Sequence, residues 1–238
     1  MRDEMTEGTD RGTANRPLAG LTVLVVEDSR YASEAMRLLC LRSGARIRRA
    51  DCLRSAQRHL ATYRPGVVIV DMGLPDGNGA ELIRLMGRMQ PAPPVVLATS
   101  GDPDTRGAAM AAGAQGFLPK PIASLAGFQQ AILIALPEDE RPRGLRVIAD
   151  EVIEPDPEAL RDDLAHVADV LSAAPDTAAL DYIAQFLAGV ARSARDGALE
   201  DAARALSSDQ HAGRALAPDL ARISGLVHDR LAAAGAAY

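Results

Sequence analysis

The chain has 238 residues, 47% hydrophobic and 24% charged, with a formal net charge of −6. Such a length admits one large domain or two small ones, and the composition is that of a soluble globular protein. No apolar run reaches the roughly 18 residues of a membrane span, and the polar leader Met1 to Arg16 lacks the apolar core of a secretory signal. Two cysteines in apolar surroundings, Cys40 and Cys52, make no disulfide framework and fit a reducing, cytoplasmic location.

Residues 1–19 read as a disordered leader. Thr22 to Val26 is then a β-branched run that predicts a strand ending at Glu27 and Asp28. Ala32, Ala35, Met36, Leu39 and Cys40 recur with helical spacing up to Gly44. Ala45 to Ala50 predicts a weaker, more polar edge strand, and Leu53 to Tyr63 a helix stopped by Pro65-Gly66. Val67 to Asp71 is a continuous buried-type strand, followed by the turn-rich Gly73-Leu74-Pro75-Asp76-Gly77-Asn78-Gly79. A helix from Ala80 to Met89, a strand from Val95 to Thr99, a helix opened by Asp102-Pro103, a strand from Gly116 to Leu118 and a helix ending at Leu136 complete the pattern. Five strand–helix alternations around a continuous apolar centre predict an α/β domain over 20–136, a doubly wound parallel sheet covered on both faces.

Pro137 to Gly144 is a charged, proline-punctuated linker. Beyond it, over 145–238, a brief strand-like stretch from Leu145 to Ile153 gives way to alanine-rich helical periodicity. Leu160, Leu164, Val167 and Leu171 form one apolar stripe, Leu180, Ile183, Leu187 and Val190 a second, and Leu220, Ile223, Val227 and Leu231 a third. Asp156-Pro157 and Asp176 mark helix starts, so a smaller all-α domain follows the first. Residues 1–137 carry a net charge of +3 and residues 138–238 a net of −9. An acidic second half repels a phosphate backbone, which disfavours a nucleic-acid output.

The polar residues of the first domain fall at strand C-termini: Glu27 and Asp28, then Asp71, then Thr99, with Lys120 just beyond the last strand. Ligands of open α/β sheets bind outside the carboxyl ends of the strands, so these groups should converge. Three carboxylates in one place repel one another unless a hard divalent cation joins them, and magnesium suits such oxygen donors. A carboxylate can also attack phosphorus and form an acyl phosphate. Lys120 is the chain's one lysine against 25 arginines. Its compact ammonium, unlike the planar guanidinium fork, suits an ion pair with one small anion.

On the pair Glu27-Asp28, the block Asp71 to Gly79, the Thr99-Ser100 step and Lys120-Pro121, residues 21–136 resemble the receiver domain of bacterial two-component response regulators. The resemblance implies a flavodoxin-like sheet with the first strand between the second and third. It implies Asp71 as the acceptor of a phosphoryl group from a sensor histidine kinase or histidine phosphotransfer protein, assisted by Thr99 and Lys120. Mg2+ would be bound by Glu27, Asp28, Asp71 and the backbone carbonyl of Gly73, and Thr99 with Phe117 would form the switch pair. Gly73 offers no side chain two residues after Asp71, so nothing there would shield or activate an acyl phosphate.

His166, His211 and His228 of the helical half, and His59, read as solvated surface residues, and no Cys or His spacing supports zinc. The helix Ile122 to Leu136 has no charged residue, which predicts coverage by the helical domain or by a second subunit. The leading expectation is a regulatory phosphoacceptor, not an enzyme, whose helical domain is a protein-interaction or dimerisation output. The alternatives are a phosphotransfer-like or enzymatic effector bundle and a transcription regulator with an unrecognised DNA-binding fold.

Overall fold

Runs of Val, Ile and Leu flanked by glycine and proline become the interior strands, because branched side chains pack well on a pleated surface buried on both faces. The computed structural model describes residues 16–93, 95–142, 151–173 and 175–235. Its first half runs β1 (Thr22–Val26), α1 (Arg30–Ser43), β2 (Arg46–Ala50), α2 (Leu53–Thr62) and β3 (Val67–Asp71). A two-residue-per-strand hairpin follows, β4 (Gly73–Leu74) and β5 (Gly77–Asn78), then α3 (Gly79–Gly87), β6 (Val95–Ser100), α4 (Thr105–Ala112), β7 (Gly116–Pro119) and α5 (Leu125–Ala135).

The five long strands form one parallel sheet in the order β2-β1-β3-β6-β7. This is the doubly wound, flavodoxin-like arrangement, with α2, α3 and α4 supplying the core on one face and α1 and α5 the core on the other. Strands β3 and β6 are buried along their whole length, whereas β2 at the edge exposes Arg46, Arg48 and Arg49. Charge on an edge strand blocks further strand addition. The register sets Asp71 beside Thr99, and Thr99 beside Leu118, along the carboxyl edge.

The second half is a four-helix bundle: α6 (Pro157–Ser172), α7 (Thr177–Ser193), α8 (Gly197–His211) and α9 (Ala217–Gly235), each packed on its sequence neighbour and α9 closing on α6. Asp156, Asp176 and Asp196 cap the first three, their carboxylates accepting from the amides of Glu158, Ala179 and Leu199. Each cap satisfies a backbone donor that the helix leaves open and places negative charge at the positive end of the dipole. Helix α8 has no counterpart among the three predicted stripes. Its buried side is Leu199, Ala202, Ala203 and Leu206, which offers only two large apolar residues, seven positions apart.

Three expectations are corrected. The leader does not run to residue 19: Leu18 is fully buried, and its amide donates to the Ser43 carbonyl at 2.9 Å; Met1 to Asn15 lie outside the described residues. The segment from Leu145 is not simply the start of the helical part. Residues 143–150 are not described, but the Leu125 amide donates to Glu151 O and the Ile153 amide to Ala123 O, tying 151–153 to the entrance of α5. The bundle packs elsewhere than on the charge-free α5: α6 and α7 sit against α1 and β4. Helix α5 buries Leu125, Phe128, Ile132 and Leu133 against the sheet and leaves Ile134 66% exposed.

Candidate functional site

At the carboxyl edge, β1 ends in Glu27-Asp28, β3 in Asp71 and β6 in Thr99-Ser100, and the chain leaves β7 through Lys120. Gly79 makes the arrangement possible. A Cβ there would stand 2.0 Å from the Asp71 carbonyl oxygen, so only glycine lets the start of α3 lie directly against the end of β3.

Lys120 sits in the middle of the acids. Its Nζ lies 2.7 Å from Asp71 Oδ2, 2.9 Å from Glu27 Oε1 and 2.7 Å from Glu27 Oε2. Glu27, Asp71 and Lys120 are all buried. Burial works against the ammonium, but the Asp71 and Glu27 carboxylates outweigh it and hold the lysine pKa above its ordinary value. Burial raises the Glu27 pKa well above the usual carboxylate range, and repulsion from Asp71 adds to it. Asp28 is pushed up to about 7, again by burial first and Asp71 second. One cation among three carboxylates leaves the cluster short of positive charge.

Oxygens of Glu27, Asp28 and Asp71 all lie within 4.8 Å of one another. Glu27 Oε2, though close to Lys120, has no aligned hydrogen bond. A buried carboxylate oxygen left without a hydrogen bond, in an all-oxygen donor set with excess negative charge, fits a hard divalent cation. The Thr99 hydroxyl donates to Leu118 O at 2.8 Å, tying β6 to β7. Phe117 is half-buried beside the core that contains Ala98 and Ala114. Gly73 lies in β4, its amide 3.4 Å from Asp71 Oδ1.

The bundle supplies groups that sequence reasoning did not find. The Tyr182 hydroxyl of α7 donates to Asp28 Oδ2 at 2.8 Å. Asp163 of α6, itself buried, accepts from Ser29 Oγ at 2.7 Å, from the Arg30 amide at 2.8 Å and from the Tyr31 amide at 3.1 Å. It completes the capping of α1 from another part of the chain, since Ser29 Oγ also accepts from the Ala32 amide. A Cβ on Gly101 would lie 3.1 Å from Gly189 Cα, so two glycines let α7 settle on the loop after β6. Together these elements enclose a cavity of about 380 Å³ with Asp28, Asp71 and Lys120 on the sheet side and Gln185 and Gly189 on α7. These residues lie far apart in sequence, and no local period links them to the strand-end acids.

The histidines lie away from this centre. His211 and His228 are exposed, with each Nδ1 close to a carbonyl of its own helix, and His166 packs edge-on against Phe186. Cys40 is buried, its thiol pushed up to about 12 by loss of solvent.

Residues 23–132 match the family described as the response regulator receiver domain. The chain is 33% identical over 114 residues to the KDP operon transcriptional regulatory protein KdpE of Escherichia coli (strain K12), a match covering 48% of this chain and 50% of that protein. It is 36% identical over 84 residues to the sensory transduction protein LytT of Bacillus cereus, covering 34% of each. Among solved structures it is similar to the receiver domain of a histidine kinase from Syntrophus aciditrophicus, with 22% identity and a TM-score of 0.46, covering 55% of this chain and all of that one. The chain spans half or less of the length of these curated relatives. Among the described residues no helix is long and apolar enough to cross a membrane. With the parallel sheet, its strand order and the acids gathered at its carboxyl edge, residues 23–132 are a receiver domain of the response-regulator family.

Proposed function

We propose that residues 20–136 are the phosphoacceptor unit of a two-component phosphorelay and that the helical part, 145–238, passes the signal to a protein partner or a second copy of the chain. The observation that carries the reading is the ammonium of Lys120, held between Asp71 and Glu27 in a buried acidic pocket that opens into a cavity large enough for a phosphoryl group. An Asp71 carboxylate oxygen attacks the phosphorus of a phosphohistidine on a sensor kinase or phosphotransfer protein. The N–P bond breaks as the acyl phosphate forms, and the imidazole takes up a proton. Glu27, Asp28, Asp71 and the Gly73 carbonyl would hold Mg2+, which when bound supplies neutralising charge to the phosphoryl oxygens. Lys120 neutralises one phosphoryl oxygen, releasing its grip on Asp71 as it does so. Thr99, now bound to Leu118 O and in register with Asp71 on the neighbouring strand, would turn its hydroxyl toward the same group, and Phe117 next to Leu118 would follow.

The net charge of −9 on residues 138–238 supports a protein output over a nucleic-acid one. No independent enzymatic activity is assigned to the bundle. Incubation with magnesium and a small acyl phosphate should give one base-labile phosphoryl adduct per chain. Asp71→Ala should give none; stoichiometric labelling of that variant would remove the assignment.

A further inference from the structure

Gly73 leaves a space two residues after the proposed acceptor, and the bundle fills it. A Cβ built on Gly73 would lie 3.3 Å from Gln185 Oε1 and 4.0 Å from Gln185 Cβ. The amide of Gln185 therefore stands where a side chain at position 73 would project, at the lip of the cavity shared by Asp28, Asp71 and Lys120. Its place is set by neighbours on the same stripe of α7. Tyr182, one turn earlier, donates to Asp28. Gly189, one turn later, lies against Gly101, and a Cβ on it would be 3.9 Å from Lys120 Nζ. Residues three and four apart share one face of a helix, so α7 presents 182, 185 and 189 together to the acidic centre.

We infer that Gln185 is a positioning residue for hydrolysis of the phosphoryl group on Asp71, an inference that rests on the reading of Asp71 as the acceptor. A phosphoryl group on Asp71 would extend into the cavity, and a water attacking opposite the P–Oδ bond would approach through the space that α7 also lines. A cavity of about 380 Å³ holds the group and several waters, each taking roughly 30 Å³ in the liquid. Gln185 is exposed and lines the same cavity as Asp28, Asp71 and Lys120. An amide carries both acceptor and donors. Its oxygen can accept from the attacking water while an N–H holds a phosphoryl oxygen. The water oxygen bonds to phosphorus, the P–Oδ bond breaks, its electron pair returns to the Asp71 carboxylate, and both water protons leave with inorganic phosphate as its monoanion. A chain with glycine at 73 thereby takes its control of phosphoryl lifetime from its own output domain, so the lifetime depends on whether α7 is docked.

The test uses the full chain loaded with radiolabelled acetyl phosphate and magnesium, then freed of donor, in wild type, Gln185→Ala and Gln185→Met. Methionine keeps the length and helix propensity of glutamine without the amide. Loading should be unchanged in both variants, and release of inorganic phosphate should slow by roughly tenfold to a hundredfold, the loss of one hydrogen bond to a charged group. Equal melting midpoints show that the fold is kept. Decay at the wild-type rate or faster in either variant overturns the inference, since in the methionine variant it would mean that bulk alone is required. Labelling of Asp71→Ala would instead overturn the underlying acceptor assignment, so the two failures are distinct.

Discussion

Lys120 has to balance two opposing terms. Taking its ammonium and the Glu27 and Asp71 carboxylates out of water is costly, and only close pairing offsets the loss. The three contacts of 2.7–2.9 Å supply that pairing. Lys120→Met, which keeps the stem and removes the charge, is expected to cost about 3–5 kcal/mol in chelator, as the loss of one member of a buried ion pair does. Saturating magnesium should reduce that cost, because a bound cation replaces the missing charge. Denaturant unfolding with and without the ion reads both values. Lys120→Arg keeps the charge but not its shape, and a planar fork has no room to rotate between two carboxylates and a phosphoryl oxygen. Its labelling by a small phosphodonor should fall by about tenfold or more.

At the scale of elements, two aspartates join parts of the chain that are remote in sequence. Asp163 on α6 serves the first turn of α1. Asp163→Ala would strand the Ser29 hydroxyl and the Arg30 and Tyr31 amides, a loss of about 1–3 kcal/mol. Hydrogen exchange at residues 30 and 31 should rise well before exchange in β3. Asp196 caps α8 through Leu199 and receives Arg230 of α9 at 2.8 Å. The Arg230 hydrogen bond, against opposing burial, holds the Asp196 pKa below the ordinary value. A depressed folded-state pKa means that its stabilisation is fully present above the unfolded aspartate value, about 3.9. That stabilisation is lost as pH falls from there through the folded pKa. Asp196→Asn should therefore flatten the stability–pH curve below about pH 4 and leave the curve above it nearly parallel to wild type.

For the whole molecule, the docked bundle and the excess negative charge at its contact face set the response to cations. On the proposed reading magnesium would bind only where Glu27, Asp28 and Asp71 are assembled, so it should stabilise the folded chain by mass action, by about 2.7 kcal/mol at a hundredfold excess over Kd. Asp28→Ala should lose most of the upward shift in melting temperature. A shift equal to wild type would place the ion elsewhere. The receiver half and the bundle half carry opposite net charge, +3 and −9 over residues 1–137 and 138–238. Their docking should accordingly weaken with ionic strength, as exposed charge pairs do.

Much of this molecule was legible along the chain. The β-branched runs, the 3.6-residue spacing of apolar positions and the acids at strand ends act through near neighbours, so they determine the five-stranded parallel sheet and bring Glu27, Asp28, Asp71, Thr99 and Lys120 to one edge. The aspartate caps of α6 and α7 are local in the same sense. Only the tertiary structure decided which surface of the receiver meets the bundle. The charge-free stretch Ile122 to Leu136 points to α5, but segment 151–153 reaches only the entrance of that helix, Ile134 stays exposed, and the bundle settles on α1 and β4 instead. Helix α8 stayed hidden because its buried side holds only two large apolar residues, Leu199 and Leu206, with alanines between them. The Tyr182–Asp28 and Asp163–Ser29 hydrogen bonds and the Gln185–Gly73 contact join residues more than a hundred positions apart. Such pairs depend on how the receiver and the bundle fit together, and the periodicity of neither carries that information.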